Sequence, residues 1–224
     1  MKLFNIILLL LACLVAQGKD YSITLTVNGF GGQKTYLAKV EGDLSILTDT
    51  LVADRYGVFR TTFSDENETG FYKFIFPQLN NAEVPFIFNN EDVALTTEAI
   101  NPSAYIQVVS SKENDLYYQF QAKTAIFNHH VGLLEMVYEN YSGDEYLNQT
   151  ENEYIRLLQE FSKDLGSMRE RGKNTFAWRV IKSSVPPLPP MLLSQSEKNN
   201  FLKAHYFDNV DFTDTLLINS EVFN

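Results

Sequence analysis

The hydrophobic period of this chain changes at Ser110, and that change demands two kinds of structure in one polypeptide. Between Tyr21 and Ser110 apolar residues recur at every second position, and the runs are broken by Gly, Asn, Asp and Pro. Such alternation places one set of side chains on one face of a strand. Ile23, Leu25 and Val27 alternate with Ser22, Thr24 and Thr26, which predicts a first strand. Further strands are predicted at 35–40, 44–53, 58–63, 71–76, 84–89, 93–97 and 105–109. Asn28-Gly29 and Gly31-Gly32 accept positive φ and read as turn residues, and Arg55-Tyr56-Gly57 separates two further runs. The runs 71–76 and 85–88 are aromatic or apolar at nearly every residue, as in strands buried on both faces. Short strands at this spacing predict an antiparallel β-sandwich over 19–110.

Past Ser110 the spacing is helical. Leu116, Phe120, Phe127, Val131, Leu134, Tyr138 and Tyr141 form one stripe, and Leu147, Tyr154, Leu158, Phe161, Leu165 and Met168 form a second. Ser110 with Glu113, and Thr150 with Glu153, stand at capping-box spacing and predict helix starts. A turn at Ser142-Gly143 then predicts an antiparallel helical hairpin within 111–183, with a third short helix at 174–182. Val185-Pro186-Pro187-Leu188-Pro189-Pro190 must be extended, because proline lacks the amide donor and restrains its predecessor. It reads as a stiff connector, with a ligand for a proline-reading domain as the alternative. Ser194 and Glu197 predict caps for a last helix through Tyr206, followed by a loop of spaced acids. The fold class is therefore α+β: a sandwich, a helical region, and a segment 184–224 of Pro-rich connector, short helix and lead-in.

The first 18 residues read as an export signal. Lys2 supplies a positive n-region, and Ile6 to Val15 form an apolar run too short to span a bilayer. Ala16-Gln17-Gly18 places small residues at the −3 and −1 positions of a cleavage site. The alternative is lipoprotein processing, since Leu10-Leu11-Ala12-Cys13 approximates a lipobox and would make Cys13 the acylated residue. Both readings export the chain to a periplasmic or outer-membrane-associated location, with no transmembrane span in the mature part. Cys13 is the single cysteine. A chain cleaved after Gly18 has no thiol for a disulfide, a nucleophile or a redox pair.

Charge excludes one class of partner. With 18 Lys+Arg against 28 Asp+Glu the net charge is −10, which repels phosphate backbones and leaves no footprint for nucleic acid. The 17 Phe and 12 Tyr are ample for a core, so disorder is not expected.

The search for chemistry assigns no catalytic, cofactor-binding or metal-ligating residue. His129 and His130 are adjacent on a predicted helix and diverge by about 100°, and His205 is distant in sequence, so they read as surface or core residues. Asp208, Asp211 and Asp214 suggest calcium, but Thr213 and Asn219 stand where an EF-hand loop requires glycine and glutamate. They read as turn formers and caps. The serine nucleophile elbow and the phosphate-cradling glycine motifs are absent; Gly29-Phe30-Gly31-Gly32 opens no predicted helix and reads as a hairpin turn. Carboxylate pairs for glycoside hydrolysis exist in any acidic chain, and nothing here selects one. Asn67-Glu68-Thr69, Asn140-Tyr141-Ser142 and Asn148-Gln149-Thr150 match the glycosylation sequon, as chance allows in an Asn-rich chain. Trp178, between Phe176 and Val180, reads as a packing residue.

Several stretches in order carry a family resemblance. They are Lys34-Thr35-Tyr36-Leu37-Ala38-Lys39 before Gly42-Asp43; Asp49-Thr50 with Gly57-Val58-Phe59; Gly70-Phe71-Tyr72; and Ser110-Ser111-Lys112-Glu113-Asn114 with Tyr117 and Phe120. The last runs from Leu202 through His205-Tyr206-Phe207 to Asp214. Together the pattern resembles a domain of unknown function that precedes thioredoxin-like thiol–disulfide interchange domains in exported Bacteroidota-type proteins. Ser110 stands in place of the family's usual glycine, and Arg55-Tyr56-Gly57 in place of its Asp-Gly turn. The resemblance implies a non-catalytic N-terminal module that docks or positions a redox domain lying beyond Asn224 or supplied separately. The family's CxxC has no counterpart position here. The alternative is a stand-alone envelope protein that binds a glycan or peptide, and a carboxylate-dependent hydrolase is a third expectation.

Overall fold

The computed structural model describes residues 18–223 apart from 142, 186, 191, 192 and 194. The expected export signal through Gln17, with Cys13 within it, and the cap expected at Ser194 lie outside the described residues.

Eight strands form at the predicted places: β1 (Asp20–Asn28), β2 (Lys34–Glu41), β3 (Leu44–Val52), β4 (Val58–Ser64), β5 (Gly70–Phe76), β6 (Ala82–Phe88), β7 (Val93–Glu98) and β8 (Gln107–Ser110). They make two four-stranded sheets, ordered β4-β1-β7-β8 and β3-β2-β5-β6. All ladders are antiparallel except one. β1 and β7 run parallel, with Ile23 opposite Val93 and Leu25 opposite Leu95. Local alternation does not register this departure from an all-antiparallel sandwich, because the chain passes through the second sheet between those two strands.

The inward faces meet in an aromatic core. Ile23, Leu25, Phe59, Phe74, Phe76, Phe86 and Phe88 are fully buried there. Rings interlock across the gap, with Phe63 lying 4.7 Å from Tyr72 and 5.0 Å from Phe88. Edge-to-face pairs of this kind add to the area they bury. β3 is an outer strand whose residues 44–50 are all exposed, including Leu44, Ile46 and Leu47. A bulge at Thr48, whose hydroxyl donates to the Leu37 carbonyl at 3.1 Å, interrupts its ladder. Bulges are a common means of blunting such an edge.

The helical region comprises α1 (Lys112–Asn140), α2 (Asp144–Gly172), α3 (Phe176–Ser184) and α4 (Gln195–His205). No helix among the described residues is long and apolar enough to cross a membrane. α1 and α2 form the expected hairpin, with Phe127 stacked on Phe161 at 4.5 Å and Lys123 paired with Asp164 at 2.9 Å. The hairpin base, α3 and the turn Thr215–Asn219 cover the outer face of the second sheet. There Val40, Phe71 and Ile87 meet Leu116, Tyr117, Phe176, Ile181 and Leu217 in a second core. β5 and β6 are thus apolar on both faces because both faces are covered, as their sequence predicts.

Two helix starts differ from expectation. Thr150 lies inside α2, not at its cap, and its hydroxyl donates back to the Tyr146 carbonyl at 2.8 Å. Glu153 pairs with Arg156 instead of closing a box. The helix begins after Gly143, about two turns earlier, because the apolar stripe already starts at Leu147. The described residues of the proline segment lie in neither helix nor strand, and they are not a free connector. The Tyr154 hydroxyl donates to the Pro189 carbonyl at 2.8 Å, Asn209 donates to the Val185 carbonyl at 2.9 Å, and Leu188 packs on the second core. Nor is the final stretch a loose lead-in: Ser220 is fully buried, and Gly42 donates its amide to the Ile218 carbonyl at 2.7 Å.

One turn has no room for a side chain. Gly57 has φ +81°, and a Cβ there would lie 2.2 Å from the Val27 carbonyl oxygen. Gly32 has a similar φ of +72° but faces open space. Gly32→Ala is expected to lose about 1 kcal/mol for the left-handed backbone alone. Gly57→Ala is expected to lose about 2–3 kcal/mol, since strain and displacement of β1 add to it. Urea denaturation of both variants checks the difference; equal losses would refute the steric argument.

Candidate functional site

The motif Ser111-Lys112-Glu113-Asn114 lies where sandwich, hairpin and α3 converge, and the side chains of Ser111, Glu113 and Asn114 have structural partners. α1 opens at Ser111, not at Ser110, which ends β8. The Ser111 hydroxyl oxygen accepts from the Asn114 amide at 2.9 Å. Glu91, from the loop between β6 and β7, accepts from the amides of Lys112 at 3.2 Å and Glu113 at 3.0 Å. A carboxylate at a helix N-terminus satisfies donors that have no intrahelical acceptor and complements the dipole.

Glu113 is therefore released from the capping-box role that its spacing suggests. It is buried and turns toward a different helix, accepting from the amides of Phe176 at 3.1 Å and Ala177 at 2.6 Å. Asn89 donates to the same carboxylate at 2.6 Å and accepts in turn from the Thr69 hydroxyl at 3.1 Å. Burial pushes the Glu113 carboxyl up; the Ala177 amide, Asn89 and the Phe176 amide oppose the shift. Asn114 is completely buried and acts as one residue of an extra strand. Its Oδ1 accepts from the Ile87 amide and its Nδ2 donates to the Ile87 carbonyl, both at 2.8 Å. The unpaired side of β6 is thereby satisfied at Ile87. This constellation joins layers; its donors and acceptors are consumed by backbone.

The other sequence candidates do not assemble into one site with it, although two of them, His205 and Asp208, pair with each other. His129 and His130 are exposed, with rings 5.9 Å apart. His205 meets Asp208 at 2.7 Å. Asp211 accepts from the Thr213 amide at 3.0 Å and hydroxyl at 2.6 Å, and Asp214 accepts from the Leu216 amide at 3.2 Å at the start of the turn Thr215–Asn219. These are turn and cap roles. Among the described residues no group of three His, Cys, Asp or Glu side chains is placed to hold a metal ion. Trp178 is half-buried against the second core.

Two surfaces beside the C-terminal segment are not spent on folding. The loop after α4 carries three aromatic rings in mutual contact, Tyr206 to Phe207 at 4.8 Å and Phe207 to Phe212 at 5.4 Å. Their exposures are 60%, 53% and 66%, so the cluster faces water. Beside it a groove of about 490 Å³ lies between α1, the proline segment, α4 and the C-terminal turn. Sequence reading missed the groove, because its walls come from separate stretches with no common motif. It also missed Glu91 and Asn114, whose partners are distant in sequence. The aromatic spacing in 206–212 was the one visible signal.

No model of a known protein family matches the chain, and no curated protein matches it.

Glu113 and Asn114 make the junction testable. A carboxyl whose folded pKa is raised contributes stability below its ordinary pKa that is lost as pH rises through the folded value. Glu113→Gln is expected to flatten that acid-side slope in a stability–pH profile; an unchanged slope would show that Glu113 is not its source. Asn114→Ala leaves the Ile87 amide buried without an acceptor and is expected to cost about 1–3 kcal/mol in chemical denaturation.

Proposed function

We propose that this chain is an exported, non-catalytic module that docks or positions a thioredoxin-like thiol–disulfide interchange domain. The observation that carries the reading is the exposed cluster Tyr206, Phe207 and Phe212. Contiguous exposed aromatic surface marks protein contact sites, and aromatic anchors dominate their energetics. The cluster falls in the 202–214 stretch that resembles the family's lead-in to its redox domain. The junction motif supports the same reading, since Ser111, Glu113 and Asn114 act as joints. Export rests on the pattern of Met1 to Gly18, and any thiol chemistry would belong to the partner.

A second reading, a stand-alone envelope protein that binds a peptide or glycan, is favoured by the groove beside the aromatic loop. Its about 490 Å³ falls within the range of ligand sites.

Isothermal titration of residues 19–224 with thioredoxin-like domains encoded in the same genome tests the first reading. Saturable binding is expected, weakened about tenfold or more in Phe207→Ser/Phe212→Ser, as loss of aromatic anchors does at interfaces. The circular dichroism spectrum should be unchanged, because both rings are exposed. Absence of binding to every such domain would sink the docking reading.

A further inference from the structure

The groove is lined by two parts of the chain that are held in different ways. Val185 and Val222 pack on the second core and Thr124 lies on α1, so this part of the lining belongs to the helical body. Leu202 on α4, with Tyr206 and Val210 on the loop that follows it, supplies the other part. A surface helix is ordinarily held by an apolar stripe buried against its neighbours. Among the described side chains of α4 no such stripe is present. The buried one is Lys198; Phe201, Leu202 and His205 are half-buried, and the others are exposed. Phe201 moreover sets its ring against His205 of the same helix, at 4.4 Å.

Lys198 fastens α4 to the hairpin. Its ammonium reaches Glu135 on α1 at 3.0 Å, with the lysine side chain 10% exposed and the glutamate 42%. The same carboxylate acts on the Tyr154 phenol, which burial and then the Glu135 charge push up, and Tyr154 holds the proline segment through the Pro189 carbonyl. The loop after α4 is tied by polar contacts too. Asn209 donates to the Val185 carbonyl at 2.9 Å, and Arg179 meets Asp214 at 3.3 Å. Polar tethers exchange protein partners for water at a small net cost, so a segment held by them opens without unfolding the core. An ammonium buried as deeply as that of Lys198 stays in place only while its carboxylate is there.

We propose that α4 and the loop through Val210 form a lid on the groove, latched by the Lys198–Glu135 ion pair. With the pair made, Leu202, Tyr206 and Val210 complete the groove. With the pair broken, those three residues leave together, because they share one segment, and the part of the lining on the helical body meets water. Entry to the groove and the placing of the Tyr206 ring thus depend on one ion pair. The inference rests on the groove and its attachments, and on neither functional reading.

The test follows amide hydrogen exchange by NMR in the full chain carrying Glu135→Gln, Lys198→Met or both. Glu135→Gln leaves the Lys198 ammonium buried without a counter-charge. It is expected to lower the protection of the α4 amides by about tenfold or more, while the amides of Phe127 and Phe161 in the hairpin keep theirs. Lys198→Met fills similar space without a charge and should keep α4 protected; in the double variant it should restore what Glu135→Gln loses. Entry to the groove is read separately, by the rate at which Val222→Cys reacts with a maleimide in a Cys13→Ser background that removes the single native cysteine. That rate should rise with Glu135→Gln and fall back in the double variant. Should Glu135→Gln fail to fold, Lys198→Ala cuts the tether without stranding a buried charge, and it should open α4 and quicken labelling instead. Unchanged α4 protection in Glu135→Gln, a loss shared with the hairpin, no rescue by Lys198→Met, or a labelling rate that ignores α4 opening would each overturn the latch.

Discussion

Among the described residues, the second sheet is the layer that must be buried on both faces. Alternate residues of β5 and β6 point in opposite directions, so Tyr72, Phe74, Phe86 and Phe88 enter the sandwich core while Phe71 and Ile87 enter the helical one. A sandwich with only its inner face covered would leave Val40, Phe71 and Ile87 in water, at a cost of about 1.5–3 kcal/mol for each large apolar side chain. The helical hairpin, α3 and the turn Thr215–Asn219 are held in place by that demand. They provide a lid for the outer face, and everything distal to it, including the upper half of α1 and α2, is cantilevered from this contact.

Apolar packing sets the layers together, and a few buried polar groups set their orientation. Asn114 admits one register between α1 and β6, because a primary amide matches the Ile87 amide and carbonyl only when both are in reach. Glu113 ties the first turn of α3 to Asn89 and so to the loop after β6. Buried polar contacts of this type penalise misaligned packings more than they stabilise the right one. The residues of the Ser111–Asn114 motif are thereby accounted for by the hydrogen bonds they make between layers. The aromatic loop and the groove lie instead on surface that the packing of the layers leaves exposed.

Much of this architecture is legible in the sequence, and the reason is local. Ile23, Leu25 and Val27 alternate because one face of β1 is buried, and Asn28-Gly29 turns because glycine tolerates positive φ. Strand and helix positions follow from such short-range patterns, and the change of period at Ser110 coincides with the end of β8. What fails to be legible is whatever a distant residue decides. Ser110 and Glu113 have the spacing of a capping box, yet Glu91 serves the α1 amides and Glu113 serves α3. Thr150 has cap chemistry, but Leu147 already belongs to the helix. The parallel pairing of β1 with β7 and the groove likewise depend on which segments meet, and no periodicity within a segment records that.

The turn Thr215–Asn219 closes a surface made by residues more than a hundred positions earlier. Asn219 donates to the Thr69 carbonyl at 3.2 Å, and Leu217 is buried against strands that end before residue 90. A ribosome making this chain therefore releases the whole second sheet well before the residues that cover it. Until those emerge, the outer face of that sheet cannot be completed, whatever its own strands have done. The last turn to be made is thus one that the earlier sheet needs before its outer face is finished.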